Sequence, residues 1–205
     1  MNEIDHTYWY LNRASGFVAF ILLATSVILG LTMTGGALER LLRRYRVYDL
    51  HRFTSLLTLA VTVFHIFVVW PDDYVRFSLG GLLLPFASPY EPFFVALGVF
   101  AFYLVAVIVL AFYVRHLVSY RAWRLLHYLT FAAFALALAH GAGAGTDTEA
   151  AWAQYLYAGA GLLAFNLLVY RALKGSARPG RVAAAPGDRR DRRGEARERR
   201  TVHGV

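Results

Sequence analysis

The hydrophobic residues of the chain are gathered into long uncharged stretches separated by short polar segments. Five of these stretches approach or exceed the length of about 20 residues that an α-helix needs to cross the hydrocarbon core of a bilayer. They cover residues 14–38, 53–71, 92–114, 125–146 and 150–170. The pattern therefore predicts an all-α protein, a polytopic membrane helix bundle with five transmembrane helices.

A sixth uncharged stretch, residues 77–90, is too short to cross a bilayer. It has 14 residues and contains Pro85 and Pro89. Proline interrupts the hydrogen-bond ladder of a helix, and a segment of this length typically lies at the membrane interface or re-enters the protein. We therefore expect it to be re-entrant or interfacial.

Arginine is unevenly distributed among the connections and predicts the orientation of the bundle. The first connection has four arginines between positions 40 and 46, and the third has three between 115 and 124. The opposite ends of the helices have only Arg13 and Arg76, beside several acidic residues. Because cytoplasmic loops carry an excess of Lys and Arg, we expect the N-terminus outside and the C-terminus in the cytoplasm. The expected location is a bacterial-type inner (plasma) membrane, crossed several times.

The net charge of +8 would by itself suggest a nucleic-acid partner. A balance of +7 lies between Arg171 and the C-terminus, however, and residues 1–170 carry only +1. We therefore predict a transmembrane bundle over residues 1–172 and a disordered basic cytoplasmic tail over residues 173–205. The tail is attached to a membrane protein and lacks aromatic residues, so no nucleic acid is expected as a partner.

The apolar stretches contain no Asp, Glu, Lys or Arg. The ionisable side chains that remain inside them or at their entrances and could bind a metal are histidines. His51 and His65 lie on the second predicted helix, and His127 and His140 lie on the fourth. A single intramembrane histidine can be a packing residue that is hydrogen-bonded to a carbonyl. Two pairs on two helices favour a ligand role, and the absence of cysteine excludes thiolate ligands and covalent haem attachment.

The spacing of the two histidine pairs supports a two-level site. At about 1.5 Å per residue, the step from His51 to His65 is about 21 Å, and the step from His127 to His140 is about 19.5 Å. One histidine of each helix can therefore meet at each of two levels, as two bis-imidazole haems require. Thirteen residues miss the starting face of a helix by about 140°. The fourth helix consequently needs a π or 3₁₀ irregularity, or the two haems must be offset.

Three short runs accompany these spacings: Trp-Arg-Leu-Leu-His at 123–127, His-Gly-Ala-Gly-Ala-Gly-Thr-Asp at 140–147, and Leu-Asn-Arg-Ala-Ser-Gly at 11–16. With them, the chain resembles the ferric reductase-like transmembrane family over approximately residues 8–172. That family includes the membrane haem domains of ferric reductases and NADPH oxidases. It also includes the haem subunit that serves the periplasmic methionine sulfoxide reductase.

The resemblance implies two b-type haems, with His51 and His127 ligating the iron of the inner haem and His65 and His140 that of the outer haem. It implies electron transfer from a cytoplasmic donor, a flavoprotein or a quinol, to an acceptor at the outer face. Arg13, near the outer end of the first helix, either binds an outer haem propionate or extends to the lipid headgroups. No residue stands out as a catalytic acid or nucleophile.

The chain departs from the family pattern in two respects. Family members usually have six helices with ligands on the third and fifth, whereas here the ligands fall on the second and fourth. No flavin and nicotinamide domain follows the bundle, so we expect an oxidoreductase component that needs a separate electron donor.

Two other interpretations remain open at the level of sequence. One is a quinone-linked cytochrome b of the b561 or hydrogenase-subunit type, which also ligates two haems through helix-borne histidines. The other is a haem-free membrane scaffold or transporter with structural histidines. The lack of carboxylates and bases within the spans is unusual for an ion-coupled transporter.

Overall fold

The computed structural model describes residues 7–35, 43–71 and 77–176, and within these ranges the only regular secondary structure is helical. The helices are α1 (Thr7–Gly35), α2 (Arg44–Val69), α3 (Leu79–Leu83), α4 (Pro92–Tyr113), α5 (Tyr120–Ala144) and α6 (Ala151–Ser176). The described part of the chain is therefore all-α, as predicted.

Five of these helices, α1, α2, α4, α5 and α6, are long and apolar enough to cross a membrane. They coincide with the five predicted spans, so the predicted number is confirmed. Most of the helices extend beyond the uncharged stretches: α1 begins at Thr7, before Arg13, and α2 begins at Arg44. Arginine tolerates the end of a membrane helix because its aliphatic stem packs along apolar surface while its guanidinium reaches polar surroundings.

The segment 77–90 does not cross the membrane, in agreement with its length. Its only helix, α3, has five residues. The Ser78 side chain caps α3 by accepting a hydrogen bond from the Gly81 amide at 3.0 Å. The Tyr103 hydroxyl of α4 donates to the Leu83 carbonyl at 2.6 Å and so attaches the segment to the bundle.

Two antiparallel helix pairs form the framework of the bundle, because α1 packs most extensively on α2 and α4 on α5. A core of apolar side chains links α1 with α5 and α6. In it, the rings of Phe20 and Phe134 stack with their centroids 5.9 Å apart, and the Tyr157 ring meets Phe20 edge-on at 4.9 Å. Ala133 and Ala153 are completely buried in the same core.

Helix α5 is α-helical at every residue from Tyr120 to Ala144. The π or 3₁₀ irregularity, one of the two ways of reconciling the thirteen-residue spacing between His127 and His140, is therefore not present. The remaining way of reconciling this spacing is an offset between the two sites.

The chain divides into two units, residues 1–171 and residues 172–205. The first contains the helices that form the two pairs. The second is described only as far as Ser176. The predicted basic tail, residues 173–205, therefore lies almost entirely outside the described residues.

Two neighbouring alanines of α5, one inside the core and one outside it, should respond differently to a larger side chain. Ala133 is completely buried, whereas Ala132 is exposed. We expect Ala133→Leu to lower the free energy of unfolding by about 1–3 kcal/mol, because the larger side chain displaces its neighbours. The measurement is denaturant unfolding of the purified protein in detergent. Ala132→Leu is the matched control, and equal losses for the two variants would contradict the packing described.

Candidate functional site

The four histidines of the spanning helices line two separate cavities. His65 of α2 and His140 of α5 line a cavity of about 240 Å³, called here the His65–His140 cavity. His51 and His127 line a second cavity of about 180 Å³, the His51–His127 cavity. The structure therefore brings the histidines together in the same pairs that their spacing indicated, and α2 and α5 run in the same direction.

The rings of His51 and His127 lie close together beside the smaller cavity, one edge-on to the other. Their centroids are 6.2 Å apart and the ring planes are inclined by 85°. A metal–nitrogen bond to histidine is about 2 Å long, so one ion could be within reach of two rings at this separation. The separation of the two rings fits a shared metal ion.

Three of the four imidazoles are fixed by a hydrogen bond from Nδ1 to a backbone carbonyl of the neighbouring helix. These bonds run from His51 to Ser26 at 2.8 Å, from His65 to Asn12 at 3.2 Å and from His140 to Phe94 at 2.9 Å. A serine hydroxyl shares two of the Nδ1 atoms, Ser26 Oγ at 3.2 Å from His51 and Ser15 Oγ at 3.1 Å from His65. An imidazole that donates from Nδ1 keeps its lone pair on Nε2. This is the usual arrangement of a metal-binding histidine, in which the second nitrogen orients the ring.

His127 is held differently. Its ring stacks on the indole of Trp123, one helical turn earlier on α5, with centroids 5.2 Å apart and planes inclined by 15°. Among the described residues, the His127 ring has no hydrogen-bond partner. The orientation of this ring is therefore set by its own helix and not by a neighbouring one.

The two rings of α5 leave the helix in different directions. His140 is bonded to the Phe94 carbonyl of α4, whereas His127 lies against Trp123 and faces His51 of α2. A continuous α-helix can thus present both rings, because the sites they enter are offset around α5. This agrees with the second of the two solutions left open by the sequence.

Arg13 lines the His65–His140 cavity together with Asp147. Its guanidinium makes a bidentate ion pair with the Asp147 carboxylate, in which Nε donates to Oδ2 at 2.7 Å and Nη2 donates to Oδ1. The guanidinium also lies over the Trp9 ring, 4.0 Å from its centroid. The sequence does not predict Asp147 as the partner of Arg13; its only signal for this pair is that both residues fall at the same end of the bundle.

Two arginines line the His51–His127 cavity. Arg52 and Arg115 both lie against the Phe112 ring, at 5.5 and 4.3 Å from its centroid. Neither forms an ion pair within the described ranges of the chain. Arg124 does not line this cavity; it donates a hydrogen bond to the Tyr128 hydroxyl at 3.0 Å.

One layer of side chains separates the two cavities. Leu23, Thr58 and Val105 line both of them, and all three are at least nine-tenths buried. The Thr58 hydroxyl donates to the Thr54 carbonyl at 2.7 Å. The layer is therefore apolar apart from one hydroxyl whose hydrogen-bonding need is met.

The fold and the paired cavities define a multi-pass membrane protein with imidazole sites in its interior. The chain matches the family model described as "Ferric reductase like transmembrane component" over residues 15–138. Because this range covers more than half of the sequence, the chain belongs to the ferric reductase-like transmembrane family, and the resemblance drawn from its sequence is confirmed. This family is generally haem-binding.

The matched range includes three of the four cavity histidines and ends two residues before His140. His140 is associated with the site by its position opposite His65 in the same cavity. No curated protein and no solved structure matches the chain.

The Arg13–Asp147 pair should contribute measurably to stability because both side chains are largely buried, with 28% and 15% of their surface exposed. We expect Arg13→Gln and Asp147→Asn each to lower the free energy of unfolding by about 1–3 kcal/mol. The double variant should lose little more than either single one, because the same interaction is removed. The measurement is a double-mutant cycle by denaturant unfolding in detergent.

Glu149→Gln is the control for this cycle. Glu149 lies in the same loop, is exposed and should change the free energy of unfolding by less than about 0.5 kcal/mol. Strictly additive losses for Arg13→Gln and Asp147→Asn would show that the two residues do not interact.

Proposed function

We propose that the chain transfers electrons across the membrane through two b-type haems, one in each histidine-lined cavity. The observation that carries the proposal is that one imidazole of α2 and one of α5 meet in each cavity. Three of these rings donate from Nδ1 to a carbonyl and therefore have Nε2 as their metal-binding nitrogen. Family membership supports the same cofactor.

In this proposal His51 and His127 hold the inner haem, and His65 and His140 hold the outer one. Two imidazoles are a ligand set suited to haem, so these residues would hold the cofactor. Haem iron alternates between the ferric and ferrous states and so accepts and releases one electron at a time. The protein contributes the position, the orientation and the surroundings of the imidazoles.

The side chains between the two cavities form an apolar layer that the transferred electrons would cross. Leu23 and Val105 offer no polar atoms, and the hydroxyl of Thr58 is bonded to its own helix. A water-free layer lowers the dielectric constant between the sites. None of these three side chains is titratable, so the layer offers no relay for protons. We therefore expect charge to cross it as electrons.

The arginines beside the cavities are suited to the two propionates that every b-type haem carries. Arg52 and Arg115 would serve the inner haem, because both line the His51–His127 cavity. Arg13 would serve the outer one. Asp147 is bonded to Nε and to one N–H of Nη2, and a guanidinium has five N–H donors. Arg13 can therefore bind Asp147 and a propionate together.

The proposed direction of transfer follows from the distribution of arginine. The His51–His127 cavity lies at the arginine-rich end of the bundle, which we assign to the cytoplasm. A separate donor, a flavoprotein or a quinol, would reduce this site, and an acceptor at the outer face would oxidise the other. We place the N-terminus outside, the C-terminus in the cytoplasm and the protein in a bacterial-type plasma membrane. Residues 1–172 would form the haem-binding bundle and residues 173–205 a basic tail.

Haem stoichiometry tests the ligand assignment. We expect the purified wild-type protein to contain two haems b per chain, measured as the pyridine haemochrome. His65→Ala and His140→Ala should each lower the content to one, because each removes a ligand of the same haem. Redox titration should then show a single component, and it should be the same component in the two variants.

His116→Ala is the matched control for this experiment, since His116 is an exposed histidine between α4 and α5. It should keep both haems. A wild-type protein without haem would refute the proposal and favour a scaffold with structural histidines. Two haems in both His65→Ala and His140→Ala would refute the assignment of the ligands.

The absence of cysteine from the chain allows a direct test of orientation. Leu117→Cys places a thiol at an exposed position between α4 and α5, and Glu149→Cys places one at an exposed position between α5 and α6. In intact cells, a membrane-impermeant maleimide should label Glu149→Cys at once. It should label Leu117→Cys only after the membrane has been permeabilised. The reverse pattern would invert the proposed topology.

A further inference from the structure

Three glycines on α1 and α4 lie directly against the imidazoles of the two cavities. A Cβ atom added to each would lie 3.2 Å from His65 Cε1 at Gly16, 3.3 Å from His51 Cε1 at Gly30 and 2.7 Å from His140 Nδ1 at Gly98. The contact at Gly98 is too close for any real Cβ, and the other two are tighter than ordinary van der Waals contacts. Any side chain at these positions would press on a ring.

Each glycine has the same position relative to the carbonyl that binds its imidazole. The acceptor precedes the glycine by four residues in every case, as Asn12 precedes Gly16, Ser26 precedes Gly30 and Phe94 precedes Gly98. In an α-helix the Cα–Cβ bond is tilted toward the N-terminus, so a side chain covers the turn before it. A glycine at this position leaves the carbonyl of the preceding turn open to a ring from the neighbouring helix.

The fourth imidazole provides an internal comparison. None of the described glycines would place a Cβ against the His127 ring. His127 has no bond to a carbonyl within the described residues and stacks on Trp123 instead. Within the described residues, the one cavity histidine without a carbonyl bond is therefore also the one without a glycine against its ring.

We propose that Gly16, Gly30 and Gly98 are positioning residues for the imidazoles. Each uncovers one backbone carbonyl, the carbonyl fixes Nδ1 of one ring, and the ring thereby presents Nε2 to the cavity. Where the cavities hold haem, the inference deepens the proposed function and rests on it. A partner that orients a metal-binding histidine typically contributes about 10–100-fold to metal affinity. Glycines of this kind are distinct from small residues that only let helices approach each other.

Gly98→Ala is the most direct test because its Cβ would overlap the His140 ring. We expect the haem content of the purified full-length protein to fall from two to one, with the outer haem bound about 10–100-fold more weakly. The inner haem should keep its EPR g values and its midpoint potential. A purely structural defect would instead weaken both haems.

Two milder variants and a control complete the series. Gly16→Ala and Gly30→Ala require the ring to move by only a few tenths of an ångström, so both haems should be retained. Gly16→Ala should shift the EPR g values and midpoint potential of the outer haem alone, and Gly30→Ala those of the inner haem alone. Gly159→Ala is the matched control, because a Cβ there has no atom within 4 Å. This variant should leave the haem content, the EPR g values and the midpoint potentials unchanged.

The ring nitrogens can also be observed independently of haem binding. In the full chain labelled with ¹⁵N-histidine, NMR should show a protonated, hydrogen-bonded Nδ1 for His51, His65 and His140. Gly98→Ala should remove this signature from His140. If the wild type lacks haem but shows these signals and their loss, the proposed function fails and the inference stands.

The inference is overturned if the wild type holds two haems and the three glycine variants leave haem content, EPR spectrum and ¹⁵N signals unchanged. If Gly98→Ala does not fold, the milder variants decide. A shift confined to the haem of the neighbouring cavity supports the inference, and equal shifts of both haems, or none, contradict it.

Discussion

The hydrogen bond between an imidazole Nδ1 and a backbone carbonyl of the neighbouring helix is the interaction on which the arrangement of this bundle depends. A histidine inside a membrane needs a partner for its N–H group, because an unsatisfied donor in an apolar environment is costly. Carbonyls of α1 satisfy both rings of α2, and a carbonyl of α4 satisfies His140. Each ring-bearing helix, α2 or α5, thus has a partner helix that orients at least one of its rings, and these two pairs are the ones that pack most extensively.

The contacts between α1 and α2 are reflected in an equal residue spacing on the two helices. His51 and His65 are fourteen residues apart, and so are the two glycines of α1, Gly30 and Gly16, that face them. In two antiparallel helices at constant register, an equal spacing brings both contacts into place together. Fourteen residues also return to nearly the same face of a helix, within about 40°. One strip of α1 can thus serve both rings of α2, and a change in register would break both contacts at once.

Much of the fold could be predicted from the sequence, and the parts that could not have identifiable causes. The five spans follow from uncharged stretches, and the levels of the histidine pairs follow from the rise of a helix. The angular argument left two solutions open for α5, an irregular helix or offset sites, and only the directions of the His127 and His140 rings distinguish them. A histidine side chain has two rotatable bonds and can lean toward α4 or along its own helix. The partnership of Arg13 and Asp147 joins residues 134 positions apart, and no local pattern encodes such a contact.

The two imidazole pairs are not held in the same way. Both rings of the His65–His140 cavity are held by carbonyls of other helices, so their orientation depends on the packing of both helix pairs. In the His51–His127 cavity only His51 is held in this way. His127 relies on Trp123, four residues earlier on α5, which is a contact that a single helix can make. The orientation of the rings in the His51–His127 pair therefore depends less on the packing of α4 against α5 than it does in the His65–His140 pair.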